Sequence, residues 1–277
     1  MPGSARAEKL VLNCAIAFWL RRSQSKGMVP AMLLRFFIVV AATASSLLAS
    51  CLSAPLVASI VPPVQLNVDI AVEGRINDHP QVATDGQGRW VSVWRSQNDA
   101  GSSILCSTSS DDGATWSTSA VLSPSTNNSL GDQLPQIVAG GHGQWLAVWQ
   151  SYDRMGGPAN SGTNILIARS SDGGARWTAA AALKTNFATE SGDDYAPQIA
   201  TDGNGHWVSV WESFDRLGGM LARGPHALFA ASADNGLTWS APAALNSAAS
   251  EDACGELFPQ IATDAQGNWV ALWIRDH

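Results

Sequence analysis

With 277 residues, the chain is long enough for one domain or two. Its formal charge is −7, and residues after 51 hold ten basic against twenty-two acidic side chains, about −12. That balance excludes a basic stripe for nucleic acid and repels anionic lipid, so an anionic ligand would need a local cluster of arginines.

The N-terminal sixty residues differ from the rest. Residues 1–31 read as an upstream extension, with Met28 or Met32 as the start of the exported protein. In residues 32–51, Arg35 precedes an apolar run over 36–48, followed by small residues, the layout of a secretory signal. The run is too short for a firm membrane span. Leu48-Ala49-Ser50-Cys51 resembles the bacterial lipobox, which implies lipidation of Cys51 and an outer-membrane or cell-surface location. Ordinary cleavage, giving a periplasmic or secreted protein, and a retained anchor are the alternatives. Residues 52–63 form a spacer.

From residue 64 onward a repeat dominates. Pro80, Pro135, Pro197 and Pro259 each open a stretch that ends on a Trp-x-x-x-Trp pair, and they are spaced by 55, 62 and 62 residues. The units are 80–134, 135–196, 197–258 and a partial 259–277, preceded at 64–79 by a stray outer strand and loop. In the third unit, Ile199 and the run from Trp207 to Trp211 flank Asp202-Gly203-Asn204-Gly205, which supplies the positive φ of a tight hairpin. A third apolar run at 227–231 and a fourth from Trp239 towards Leu245 complete a four-stranded meander. One such sheet must bury its faces against neighbours, so a period near 62 predicts an all-β propeller of four-stranded antiparallel blades. Eleven of the twelve tryptophans fall on repeat positions, which reads as core packing.

A second motif closes each full unit: Ser109-Ser110-Asp111-Asp112-Gly113-Ala114-Thr115-Trp116, then residues 170–177 and 232–239. Asp111, Asp172 and Asp234 are placed to accept backbone hydrogen bonds, Gly113, Gly174 and Gly236 to take a left-handed turn, and Trp116, Trp177 and Trp239 to tuck beneath it. The motif resembles the Asp-box, or BNR repeat, of the sialidase family, although Arg176 stands where the pattern has Thr. In that family the boxes are structural and lie away from the catalytic pocket.

Leu66 lies 14 residues before Pro80, as Leu183 and Leu245 do before Pro197 and Pro259. Residues 64–67 therefore read as a fourth strand without its first three. Three full blades and a two-stranded remnant predict an open arc, with Ile261, Trp269 and Trp273 exposed at its end.

A site must break the repeat symmetry. The second strands end on Arg95, Gln150, Glu212 and Ile274, and the loops that follow share Ser-aromatic-Asp-Arg at 151–154 and 213–216. Loops on one face of such a fold carry binding residues; an Asp–Arg turn or an ion pair between blades is the structural reading. The sialidase resemblance implies an arginine cluster, a tyrosine nucleophile and an acidic proton donor. Gly74-Arg75-Ile76-Asn77 partly matches the family's first arginine motif, which makes Arg75 a candidate, with Arg95 as a second carboxylate contact and Asp99 as an acid. Tyr152 and Tyr195 are the only tyrosines, and the late blade that supplies the nucleophile has no counterpart here. No metal or cofactor motif is present. The expected partners are glycans or a surface protein, with membrane contact only through the lipid on Cys51. Two readings follow: a surface-anchored, sialidase-like propeller that binds glycans, with hydrolysis reserved for a complete parent, or a non-catalytic scaffold for protein contacts.

Overall fold

The computed structural model describes residues 6–11, 66, 75–99, 101–123, 131–153, 162–185, 192–250 and 254–276. Cys51 and the spacer at 52–63 lie outside them. Of residues 64–67 only Leu66 is described, in a bend.

The architecture is all-β. Sheet 1 holds β2 (Ile76–Thr84), β3 (Trp90–Asn98), β4 (Gly101–Ser109) and β5 (Ala120–Val121). Sheet 2 holds β6 (Asp132–Gly141), β7 (Gln144–Ser151), β8 (Asn164–Ser170) and β9 (Ala181–Ala182). Sheet 3 holds β10 (Asp194–Thr201), β11 (Trp207–Ser213), β12 (His226–Ser232) and β13 (Ala243–Ala244). Each is an antiparallel meander in chain order, as hairpin-length connections require. Sheet 4 pairs β14 (Gly255–Thr263) with β15 (Trp269–Asp276), and its third strand is β1 (Arg6–Val11), antiparallel to β15. The last sheet is therefore not a two-stranded remnant: the backbone of residues 6–11 satisfies the edge of β15 that a third strand would otherwise occupy.

Alternation along each strand sends one set of side chains to the preceding sheet and the other to the following one. Val91, Val93 and Ile104 of sheet 1 meet Trp145, Ala147 and Trp149 of sheet 2. Leu146, Val148 and Ile165 meet Trp207, Trp211 and Leu228. Val208, Val210 and Ala227 meet Trp269, Ala271 and Trp273. Each interface buries two indoles from the second strand of the later sheet, and none of the three clusters joins the first sheet to the last. The fold is thus an arc of three full blades and a partial one.

The same alternation corrects which residues the arc leaves open. Trp269 and Trp273 are 2% and 4% exposed and Ile261 is half-buried, because all three face sheet 3. The open face of sheet 4 instead carries Leu272 and Ile274, 42% and 39% exposed. The counterparts of Leu272, namely Val93, Val148 and Val210, are fully buried by the sheet that follows each.

Every first strand carries a bulge at the repeat proline, where register shifts between Asp78 and Gln81, Gln133 and Gln136, Tyr195 and Gln198, and Leu257 and Gln260. The residue before each proline, His79, Leu134, Ala196 or Phe258, has φ near +50°. Four non-glycine residues held left-handed at one repeat position mark a built bend that re-aims the strand. The first strands of successive sheets pack against one another, so the bulges line the inner wall of the arc.

Candidate functional site

The two ends of the sheets differ in kind. At one end lie the three Ser-x-Asp-x-Gly turns. Asp111 accepts the Thr115 N–H at 2.8 Å and the Thr115 hydroxyl, Ser109 Oγ accepts the Gly113 N–H at 2.9 Å, and Trp116 Nε1 donates to the Gly113 carbonyl at 3.0 Å. Asp172 accepts from Arg176 N–H and Trp177 from its indole donates to Gly174 in the same way. Asp234 accepts from Thr238 N–H at 2.9 Å, with Gly236 N–H on Ser232 Oγ. The Thr115 hydroxyl and backbone hold the Asp111 carboxyl down at about 2, and the Arg176 N–H lowers Asp172. Gly113, Gly174 and Gly236 have φ of +74° to +88°. These turns consume their own polar groups, which is staple geometry.

At the opposite end, strand starts and the β3–β4-type loops bring together residues that vary from sheet to sheet. In sheet 1, Arg95 Nη1 lies 3.4 Å from Asp78 Oδ2, its Nη2 donates to Gln97, Arg75 Nη1 donates to Ser96 Oγ at 3.3 Å, and His79 Nδ1 is 2.9 Å from Asp78 Oδ1. The fold thus gathers Arg75 and Arg95 at one end of sheet 1, with Asp78 between the arginine and the histidine. Asp99 is exposed in the tight β3–β4 turn. Sequence reasoning missed Asp78 and His79, though their place directly before Pro80 marks them as bulge residues.

Between sheets the same end is stitched by buried polar groups at fixed offsets from the proline. Asp132, Asp194 and Glu256 each stand three residues before it and are buried, whereas Asn77, at the same position in sheet 1, is exposed. Asp194 is fully buried, 2.8 Å from Lys184 Nζ, and accepts from Trp211 Nε1 and Ser213 Oγ; Asp215 lies 3.6 Å from the same ammonium. At the preceding junction Ser123 replaces the lysine: its hydroxyl accepts the Ile104 N–H at 2.9 Å and donates to Asp132, whose Oδ1 also takes Trp149 Nε1. Burial pushes both Asp132 and Asp194 up, opposed at Asp132 by the Ser123 hydroxyl and at Asp194 by Lys184. At the last junction Glu256 accepts from Asn246 Nδ2 and the Ala227 N–H, with His226 Nδ1 3.9 Å away.

The bulges are tied into this layer. The Ala196 N–H donates to Gln150 Oε1 at 3.4 Å, and Glu212 accepts from the Phe258 backbone at the next junction. Burial raises Glu212. Tyr195 stands opposite Glu212 across β10 and β11 and makes an edge-on contact with Phe214, centroids 6.1 Å apart. Its phenol is raised, first by burial and then by Asp193, the reverse of what a nucleophile requires.

No protein-family model matches the chain, and no curated protein sequence matches it. Solved structures do. A protein of unknown function from Dyadobacter fermentans superposes with TM-score 0.52 at 19% identity, covering 73% of this chain and 63% of its own. A Hadza microbial sialidase gives TM-score 0.49 at 18% identity over 73% of this chain and 42% of its own. A Penicillium chrysogenum α-L-arabinanase, solved with arabinobiose, gives 0.45 at 19% over 65% and 51%. At such identities the likeness is one of fold alone, a β-propeller, and the chain spans between about two fifths and two thirds of these structures.

Proposed function

We propose that this chain is a glycan-binding β-propeller segment whose site is the sheet end opposite the Asp-box turns, with Arg75 and Arg95 as its charged donors. The observation that carries the reading is the polar set at that end of sheet 1, where Arg95 engages Asp78 and Gln97, Asp78 meets His79, and Arg75 donates to Ser96, while the other sheets hold Gln150, Glu212 and Ile274 in place of Arg95. Two guanidiniums in a strongly acidic protein select an anionic or hydroxyl-rich ligand at that spot, because a neutral apolar one would leave their donors unpaired. The activity proposed is binding; hydrolysis would require an activated nucleophile. On a glycan array bearing sialylated and arabinose-containing structures, the protein should retain a ligand, and Arg95→Ala should weaken retention at least tenfold. Retention that survives both Arg75→Ala and Arg95→Ala would sink the site; no retention of any glycan would sink the reading and favour a scaffold for protein contacts.

Export and anchoring complete the proposal. Leu48-Ala49-Ser50-Cys51 supports lipidation of Cys51, and Cys51→Ser should move the protein from the detergent phase to the aqueous phase on phase separation. An unchanged distribution would remove the anchor.

A further inference from the structure

The Asp-box end is repetitive except at one junction. Three of the four first hairpins read Thr-Asp-x-x-Gly-x, at 84–89, 201–206 and 263–268, with the Asp carboxylate accepting two backbone N–H groups of its own turn. The hairpin of sheet 2 instead reads Ala139-Gly140-Gly141-His142-Gly143-Gln144. Gly140 is required there, since a Cβ would lie 2.2 Å from the buried Trp207 ring of sheet 3. The loss of the Asp carboxylate also removes the cap that fills the other hairpins. His142 is left exposed in a left-handed conformation, φ +49°.

A cleft of about 360 Å³ opens as a result between sheets 2 and 3, walled by the Gly140–Gln144 and Gly203–Gly205 hairpins and by Asn235. The preceding junction explains why it is open. There Arg89, the counterpart of Gln144, reaches over sheet 2 so that its guanidinium lies against Gly173, where a Cβ would meet Nη1 at 2.1 Å. At the cleft, Gly173 is replaced by Asn235 and the long Arg89 by Gln144, which Arg169 Nη1 engages from its own sheet at 3.4 Å. The space that sheet 1 fills with its own side chain is left free one sheet later.

We propose that this cleft is a second ligand site, and that it takes a neutral saccharide unit. The walls carry amide and imidazole groups, His142, Gln144, Asn204 and Asn235, among glycine backbone, and no carboxylate or cation is among the lining residues. Such a surface offers paired donors and acceptors for hydroxyl groups but no counter-charge for an ion. The volume suits a monosaccharide to disaccharide unit rather than a nucleotide or an extended peptide. The site lies at the opposite end of the sheets from Arg75 and Arg95, so one glycan chain does not fill both as a single subsite. This inference rests on the glycan-binding reading but concerns a different place and a different ligand charge.

The experiment follows from the junction that closes itself. Gln144→Arg combined with Asn235→Gly rebuilds in sheet 2 and sheet 3 the pair that sheet 1 and sheet 2 already use, so the fold has a precedent for it. Saturation-transfer NMR with methyl α-D-galactopyranoside, methyl α-L-arabinofuranoside and methyl β-D-glucopyranoside is read on the parent and the double variant, and on the same pair in an Arg95→Ala background that silences the other site, each checked for an unchanged melting midpoint. The expected result is transfer to at least one glycoside that falls at least tenfold in the double variant, whether Arg95 is present or replaced. Equal transfer in parent and double variant would overturn the cleft while leaving the Arg75–Arg95 site intact. Absence of transfer from any of the three glycosides at 20-fold excess or more (an order-of-magnitude excess for weak, fragment-like binding) would also overturn it. Should the double variant lose its native melt, His142→Ala and Asn204→Ala together serve in its place, with the same two readings.

Discussion

The Ser-x-Asp-x-Gly turns of three sheets repeat almost atom for atom, whereas the opposite end never uses the same polar set twice. At the first, three carboxylates accept the N–H four residues on, at 2.8 to 2.9 Å, in three sheets. At the second, one position holds Asn77, Asp132, Asp194 and Glu256, and its partner is Ser123 at one junction, Lys184 at the next and Asn246 at the last. Repetition follows from local geometry, since a turn needs only its own residues. Divergence follows because a junction must be satisfied across two sheets, and several chemistries can do it. The sharpest tests therefore remove one member of each kind.

The largest effect should come from Lys184. It is 2% exposed and is the ammonium shared by Asp194 and Asp215, so Lys184→Met leaves two buried carboxylates facing each other without a counter-charge. Removing one partner of a buried pair costs about 3–5 kcal/mol. Urea melts should show that loss, and Asp194→Asn in the Lys184→Met background should recover part of it, because the repulsion and the desolvated charge disappear together. A Lys184→Met protein that melts with the parent would mean that the junction is satisfied as it is at Ser123, without a cation.

Asp172 should matter less. Its carboxylate accepts the Arg176 N–H and the Ser170 hydroxyl, yet the side chain is exposed, so water replaces much of what is lost. Asp172→Ala is expected to cost about 1–2 kcal/mol by thermal melt. Because the folded state lowers this group, its contribution is present above the ordinary aspartate range and fades as pH falls through the depressed value. The mutant and parent should therefore converge in stability under strong acid; a gap that stays constant down to that range would remove the carboxylate from the account.

How much of this was legible from residues alone divides along the same line. The four-stranded meanders, the hairpin glycines and the three turns rest on contacts within one sheet, and their residues recur in register. The arc followed from the period and the strand count, and core packing of the other repeat tryptophans from their shared register. Which face of sheet 4 stays open did not: Trp269 and Trp273 looked exposed until the pleat assigned them to sheet 3, leaving Leu272 and Ile274 outside. The bulge prolines were visible, but not that Asp78 and His79 ride on one beside Arg95, since strand order places residue 78 opposite residue 95 only after β2 and β3 pair. The junction polar groups were hidden for the same reason; only the fixed offset of three residues before each proline could have pointed to them.

Glu212 offers the smallest and most discriminating test, because sheet 2 already contains the alternative. Gln150 occupies the same position and satisfies the bulge N–H of Ala196 with a neutral amide, while Glu212 meets the Phe258 backbone with a carboxylate that burial raises. A carboxyl raised on folding favours the protonated form, so its stabilising contribution is complete below the ordinary glutamate value and is lost as pH rises through the folded one. At neutral pH the charged side chain is therefore a burden that glutamine would not carry. Glu212→Gln should stabilise the protein at pH 7 by less than about 1 kcal/mol, the ordinary scale for exchanging one hydrogen-bonding partner. The gain should shrink to nothing as pH falls below the ordinary glutamate range, where both side chains are neutral. Paired melts of parent and variant across pH 3 to 8 read the difference directly, with the pH limits chosen at roughly one to four units around that range. A variant less stable at pH 7 would show that the carboxylate is held as an ion by a donor that an amide cannot match. In that case the end opposite the Asp-boxes would hold a charged acceptor at sheet 3 to set against the two arginines of sheet 1.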